Sequence, residues 1–397
     1  MRVLFTSWAW PSHYMPLAPL AWALQAAGHE VRVASQPRLT PVITDSGVAA
    51  VPVGPDLDHD EVRGRQMAGL SFSSVPRVPA AGASMDTWQP ERIRRVRRVF
   101  GTFAAYSDAM LDDLASYARF WRPDLVVYDP TTYAGPLVAA MLGVPAVRHV
   151  HGIDVTYQAR QIVPGLIRSM AERLGLDEVD ALGAATVDPC PPTLQIPADV
   201  SRIPVRYVPY NGPAVLPGWL REKPALPRVC VTWGTSTSRL TGPDTFVPAR
   251  LVQALSAMEV EVVMALAEQD VHRLGEVPAN VQVVDSLALH LVLPSCDAII
   301  HQGGNGTLLT AALHGVPQLV FPQIPDQMFQ AERIVLAGVA DSLQPDQFSE
   351  SEAAKRLEAI LTAASYRSRA RALREEMLGQ PAPAEAVARL EQLAAEQ

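Results

Sequence analysis

Three cysteines, Cys190, Cys230 and Cys296, stand far apart in 397 residues, two of them beside or within apolar strand-like segments. That excludes a disulfide framework and the paired spacing of a zinc site, and predicts reduced, buried thiols. Long apolar runs are also missing. No stretch reaches the roughly 18 to 20 residues needed to span a membrane, because Pro, Gly or charge interrupts each one. The opening Met1-Arg2-Val3-Leu4-Phe5-Thr6-Ser7 passes into a strand-and-turn pattern rather than a signal-peptide core with a small-residue cleavage site, so a cytoplasmic location is expected. Positive charge is in deficit: 33 Lys and Arg against 41 Asp and Glu give a net charge of -8, which argues against a nucleic-acid partner. The first strand leads into Trp8-Ala9-Trp10-Pro11-Ser12, with no G-x-G-x-x-G and no acid placed for a ribose, which argues against a nicotinamide-dependent oxidoreductase.

What is present repeats itself. Arg2-Val3-Leu4-Phe5-Thr6 is echoed by Arg228-Val229-Cys230-Val231-Thr232, and Leu125-Val126-Val127-Tyr128-Asp129 by Ala298-Ile299-Ile300-His301-Gln302. The second pair continues in both halves through a helical run to a Gly-Val-Pro stop, Gly143-Val144-Pro145 and Gly315-Val316-Pro317, and a further strand. Short continuous apolar runs alternating with helical patterns mark parallel sheets covered on both faces. The fold class expected is therefore α/β, with two facing doubly wound domains and a cleft between them. The boundaries expected are an N-terminal domain over 1–208, a proline-rich linker over 209–227, a C-terminal domain over 228–380 and a C-terminal helix over 381–397. Val387, Leu390 and Leu393 recur at helical spacing in that tail, which must pack on something, the first domain being one option.

The stretch from His59 to Pro90 shows little periodicity and reads as a long loop. After it Ile93, Val96, Phe100 and Phe103 share a helical face and arginines from Arg92 to Arg98 fill the other, as a solvated surface or as a partner-binding one.

The densest chemistry is in His301-Gln302-Gly303-Gly304-Asn305-Gly306-Thr307, set between a strand and a helix. Glycines at a helix N-terminus leave unpaired N–H groups open to a bulky anion, and His301 and Thr307 offer further donors, so a phosphate or diphosphate fits; a tight turn alone is the plain alternative. His13 follows the first strand at the carboxyl edge of its sheet, placed either as a general base or as a cap. Asp129 holds the strand tip in the first half that His301 holds in the second, near enough to orient His13 or to cap its own loop. Asp326 and Gln327 end another strand and suit several hydroxyls of a polar ligand, or a turn and cap. Asp56-Leu57-Asp58-His59-Asp60 lacks the glycine and distal Glu of a calcium loop. His149 and His151 alternate on a strand-like run with no third ligand evident, so no metal site is expected.

With these motifs in place the whole chain resembles the GT-B glycosyltransferases of family 1, in particular the bacterial enzymes that decorate macrolides, enediynes, anthracyclines and other polyketides. The segments 1–7, 20–34 and 207–214 carry the same look. The resemblance implies inverting, metal-independent transfer of a deoxysugar from a TDP-sugar to an apolar acceptor, with no cofactor. By likeness, His13 is the base with Asp129 behind it. Gly234, Thr235, Ser286, Leu287, His301, Gly303, Gly304, Asn305, Gly306, Thr307, Asp326 and Gln327 would hold the donor. Trp8, Trp10, Tyr14, Met15, Met67, Phe72 and Met85 would shape the acceptor pocket. Relatives often carry a base-stacking Trp where this chain has Asp285-Ser286-Leu287. The resemblance also allows a homodimer or an auxiliary protein as partner, and two rival activities: a silent nucleotide-sugar-binding activator and a GT-B sugar epimerase.

Overall fold

The computed structural model describes residues 1–67, 88–234, 246–285, 287–344 and 347–396. Two wholly parallel sheets organise them. The first contains β1 (Arg2–Thr6), β2 (Glu30–Ser35), β3 (Ala49–Pro52), β4 (Leu125–Tyr128), β5 (Ala146–His149), β6 (Ala185–Asp188) and β7 (Arg202–Pro204), in the order 3-2-1-4-5-6-7. The second contains β8 (Arg228–Thr232), β9 (Glu261–Leu266), β10 (Val281–Asp285), β11 (Ala298–His301), β12 (Gln318–Val320) and β13 (Ala340–Ser342), in the order 10-9-8-11-12-13. The repeat seen in the sequence is thus a repeat of sheet position: β1 and β8 are equivalent, as are β4 and β11. Both orders reverse direction beside the equivalent central strands, and ligands of open parallel sheets bind at the carboxyl ends of such a switch point.

Each sheet is buried on both faces, which accounts for strands that are apolar without alternation. In the first, Val3, Phe5, Leu125 and Val127 face one core, while Leu4 and Val126 face another built with the helix Pro90–Trp121. That helix ends at Arg122, the one non-glycine residue with positive φ among those described, whose N–H is taken by Ala118 O at 2.8 Å. The tail helix Pro383–Ala395 lies against the first domain, not the second. Ala386, Val387, Leu390 and Leu393 join the cluster of Leu20 and Leu24, and Glu391 pairs with His29 at 3.0 Å.

The two halves also share a core of their own, in which Ile153, Leu194, Ile196 and Tyr207 pack on Leu308, Leu309 and Phe329. Arg333 reinforces it by donating to the carbonyls of Thr193, Leu194 and Gln195 at 3.0 to 3.2 Å. Gly152 touches the second domain so closely that a Cβ there would stand 2.8 Å from the Asn305 side chain.

The stretch read as one long loop from His59 to Pro90 is a helix over its first part, His59–Met67. Asp58 explains it: its carboxylate accepts from the N–H groups of Asp60 and Glu61 at 2.9 and 3.0 Å, an N-cap that the run of acids concealed. Those N–H groups hold the Asp58 carboxyl below its ordinary range. Among the described residues, no helix is long and apolar enough to cross a membrane.

Candidate active site

His13 sits in a single helical turn, Pro11–Tyr14, which β1 delivers to the carboxyl edge of the first sheet. Its Nδ1 is 2.9 Å from Asp129 Oδ1. Asp129 is fully buried, one residue beyond β4, and its N–H donates to Thr6 O at the end of β1. The adjacency of β1 and β4 therefore creates the pair. Thr131 and Thr132 donate their hydroxyls to Asp129 Oδ2 at 2.8 and 2.6 Å. An Nδ1 that donates to a carboxylate carries a proton and cannot also accept one, so Trp8 Nε1–H goes to Thr131 Oγ1 at 3.1 Å rather than to His13 Nδ1 at 3.2 Å. His13 Nε2 is left as the acceptor. Burial alone pushes the Asp129 carboxyl up, but the imidazoles of His13 and His151 outweigh it and hold the group far below the carboxylate range.

His151 was not among the candidate site residues, and the absence of a third ligand beside it was expected from the sequence. The structure overturns that expectation. His151 Nε2 is 2.8 Å from Asp129 Oδ1, and His13, Asp129 and His151 present ligand-type atoms within 4.8 Å of one another. Strand alternation misled the reading, because β5 ends at His149. That ring stays buried with Nδ1 near Val150 O, and desolvation lowers it to about 4, whereas the chain turns after Val150 and swings His151 toward Asp129.

Across from this cluster the second domain presents the N-terminus of the helix Asn305–Leu313. Its N-cap is Gly304, which has no side chain to cap the first turn. Gly303 takes φ +97°, and a Cβ there would meet Val320 Cγ1 at 3.0 Å, so this turn requires glycine. Gly304 lies at φ -67° with only the Gln302 amide within 3.3 Å of a Cβ. Gln302 Oε1 and Asn305 Oδ1 are buried in the same turn without a hydrogen-bond partner among the described residues. Gln302 was not among the candidate residues; its only sequence signal was its place between His301 and Gly303.

Two of the expected donor residues make contacts inside the protein. His301 is fully buried, Nδ1 accepting from Gly303 N–H at 3.0 Å and Nε2 donating to Gln318 Oε1 at 2.8 Å. Both nitrogens are hydrogen-bonded within the protein, and desolvation lowers the imidazole to about 4, so His301 shapes the turn. Gln327 is likewise buried and gives its amide oxygen to Gln323 N–H at 3.0 Å. Asp326 stays open to solvent while protein surrounds it at longer range; that desolvation raises its carboxyl, against a smaller lowering by nearby His13. Leu287 packs into the apolar cluster of Leu289 and Val292, and Gly234 takes φ +63° against Gln302. Thr307 is half-buried in the first turn of the helix.

Beside His13, Trp8 is nearly buried, its ring stacked on Trp10 at 5.2 Å and set edge-on to His13 at 4.9 Å. Phe103, 6.1 Å from His13, extends this wall. Tyr14 does not belong there. It is wholly buried in the first core, its hydroxyl 2.5 Å from Ser46 Oγ, because the one-turn helix points it inward. Met15 is half-buried, and a Cβ on Gly212 of the linker would stand 3.9 Å from its Cε. Thr235, Phe72, Met85, Ser286 and the side chain of Met67 lie outside the described residues. The discounted acidic cluster is used structurally, Asp56 accepting from Arg38 N–H and Asp58 capping its helix. A cavity of about 480 Å³ is lined by Pro130, Tyr133, Arg148, Val163 and Asp180, and His13 is not among its lining residues.

Twin parallel sheets with a His–Asp pair at the tip of one and an uncapped glycine-rich helix start at the tip of the other define a GT-B glycosyltransferase. Comparison with known proteins agrees. Residues 22–234 match the erythromycin biosynthesis protein CIII-like N-terminal domain and residues 249–393 the corresponding C-terminal domain, and the chain belongs to that family. It is 38% identical to the 10-deoxymethynolide desosaminyltransferase of Streptomyces venezuelae, over 100% of this chain and 98% of that protein. It is 37% identical to the aclacinomycin-T 2-deoxy-L-fucose transferase of Streptomyces galilaeus, over 100% and 97%. The structure of glycosyltransferase VinC in complex with dTDP superposes with a TM-score of 0.83 at 33% identity, covering all of both chains.

Proposed function

We propose that this protein moves a deoxysugar from a TDP-sugar to a hydroxyl of an apolar polyketide-type acceptor, with inversion and without a metal ion. The observation that carries the reading is the 2.9 Å contact between His13 Nδ1 and buried Asp129, which leaves Nε2 as a base toward the cleft. Nε2 takes the acceptor's hydroxyl proton as its oxygen attacks the anomeric carbon. The bond from that carbon to the diphosphate oxygen breaks on the opposite face, and the electron pair leaves with TDP. Asp129 stabilises the imidazolium so formed. The charge gathering on the diphosphate is met by the free N–H groups at Asn305, Gly306 and Thr307 and by the helix dipole, a substitute for a cation. Relatives bearing the names of desosaminyl and 2-deoxy-L-fucose transferases support a deoxysugar donor, and the dTDP complex of VinC supports the nucleotide.

The test is His13→Ala: transfer falls by at least about 10²-fold while TDP affinity holds. Full activity in that variant would sink the base assignment. Undiminished turnover in EDTA is expected, and its loss contradicts metal independence. Formation of a glycoside, rather than isomerisation of the donor or stimulation of another enzyme, separates this reading from an epimerase and from a silent activator.

A further inference from the structure

His13, Asp129 and His151 follow β1, β4 and β5, and the carboxyl ends of these neighbouring strands bring them together. His13 Nδ1 and His151 Nε2 lie 2.9 and 2.8 Å from one oxygen, Asp129 Oδ1, and the three ligand-type atoms all fall within 4.8 Å of one another. The two rings stand at 76° with centroids 4.7 Å apart. A base–carboxylate pair accounts for His13 but leaves His151 without a purpose. Its Nε2 is buried at ion-pair distance from Oδ1, yet has no hydrogen-bond partner. Two electronegative atoms held this close without an aligned N–H between them stand as the ligands of a single cation do. Thr131 and Thr132 donate to Oδ2 at 2.8 and 2.6 Å. Such outer hydrogen bonds orient a ligating carboxylate, and they leave Oδ1 as the one oxygen free to bind.

Resting, for its effect on transfer, on the functional reading above, we propose that His13 Nδ1, Asp129 Oδ1 and His151 Nε2 form a Zn²⁺ site whose filling inhibits the enzyme.

The donor set selects the metal. Two imidazole nitrogens with one carboxylate oxygen suit Zn²⁺, whereas Mg²⁺ and Ca²⁺ take oxygen ligands. Bonds of about 2.0 to 2.2 Å in a tetrahedron set ligand atoms about 3.4 Å apart, so each nitrogen draws back from Oδ1 by about half an ångström. Both imidazoles have an open side for that shift, their side chains being 20% and 14% exposed around a wholly buried Asp129. Water enters the fourth position from the same side. Neither neighbour competes as a ligand, since His149 turns Nδ1 to Val150 O and Asp154 is bound to Arg148 at 2.6 Å.

Inhibition follows from the chemistry of imidazole. The ring of His13 that donates Nδ1–H to Asp129 keeps Nε2 as its acceptor. A neutral imidazole bound to a cation through Nδ1 instead carries its proton on Nε2. Zn²⁺ therefore moves one proton from Nδ1 to Nε2, and the nitrogen that takes the acceptor's proton already bears one. Asp129, drawn to the cation, no longer supports an imidazolium.

The experiment titrates metal-free, full-length wild type, His151→Gln and His151→Phe with Zn²⁺ by calorimetry, with a thermal melt to check that each variant folds. The wild type takes up one ion per chain, and each variant binds at least about 10²-fold more weakly. In the transfer assay the Zn²⁺ concentration that fills the site stops the wild type and EDTA restores it, while each variant keeps the rate it has in EDTA. Absence of one-to-one binding in the wild type overturns the proposal. So does binding or inhibition that both variants retain, because the ion then sits elsewhere, and so does zinc that fills the site without slowing transfer. The titration involves no turnover. A fully active His13→Ala variant in EDTA therefore removes the base assignment without touching the titration, and a failed titration removes the zinc site without touching the base.

Discussion

The tips of β4 and β11 occupy equivalent positions in two sheets of equivalent order, yet they solve opposite problems. At the first, buried Asp129 keeps a negative charge, held by two imidazoles and two hydroxyls. At the second, His301 carries no charge and spends both nitrogens inside the protein, one of them on Gly303 N–H. One half presents a buried carboxylate paired with an imidazole; the other presents bare backbone N–H groups at a glycine-capped helix start. A duplicated scaffold thus confers a shared location, the carboxyl end beside the central strand, while the residues after each strand decide its chemistry.

The largest expected break in this contrast comes from Asp129→Asn. The amide keeps the shape but favours the wrong His13 tautomer, and kcat should fall by about 10³-fold while TDP binding, measured by calorimetry, stays constant. Equal losses in turnover and TDP affinity would show that the two tips are not separate devices.

The second tip is sharpened by two glycine variants. Gly303→Ala meets Val320 at 3.0 Å in a positive-φ conformation, so it should destabilise the domain by about 1 to 3 kcal/mol in a denaturant melt. Gly304→Val lies at an ordinary φ, beside a movable amide, and should leave the melt nearly unchanged while weakening TDP binding. Reversal of that pattern would mean Gly304 holds the fold and Gly303 the ligand.

A further contrast between the two tips is in acid. Burial lowers His301 to about 4, so between about 4 and its ordinary value of 6.5 the unfolded chain takes up a proton that the folded chain refuses. Stability therefore falls as pH drops through that window, by up to about 3 kcal/mol for this group. His301→Gln should flatten part of the slope; an unaltered slope would indicate a solvated His301.

Much of this architecture was legible in the chain because it depends on local patterns. Continuous apolar strands, the duplicated Gly-Val-Pro stop and the glycine run before Asn305 each report their own conformation, and the twin parallel sheets follow from them. The His13–Asp129 neighbourhood was legible through the repeat, which set both residues at one sheet edge. His301, Gln327 and Tyr14 make internal contacts that the sequence did not disclose, for a common reason. Each is a polar or amphipathic residue in a site-like motif, and whether its polar atom meets a ligand or another buried group depends on partners distant in sequence: Gln318, Gln323 and Ser46.

The amino-acid sequence by itself determined two α/β halves, the places where their strands end, and a helix start capped by glycine. Only the tertiary structure decided that His151, after leaving β5, comes within 2.8 Å of the Asp129 oxygen that His13 contacts, and that Gly152 lies against Asn305. Periodicity states which way a side chain points while the strand lasts. Beyond its last residue the direction is set by packing between elements, and a charge buried there takes whichever donors the fold brings within hydrogen-bond distance.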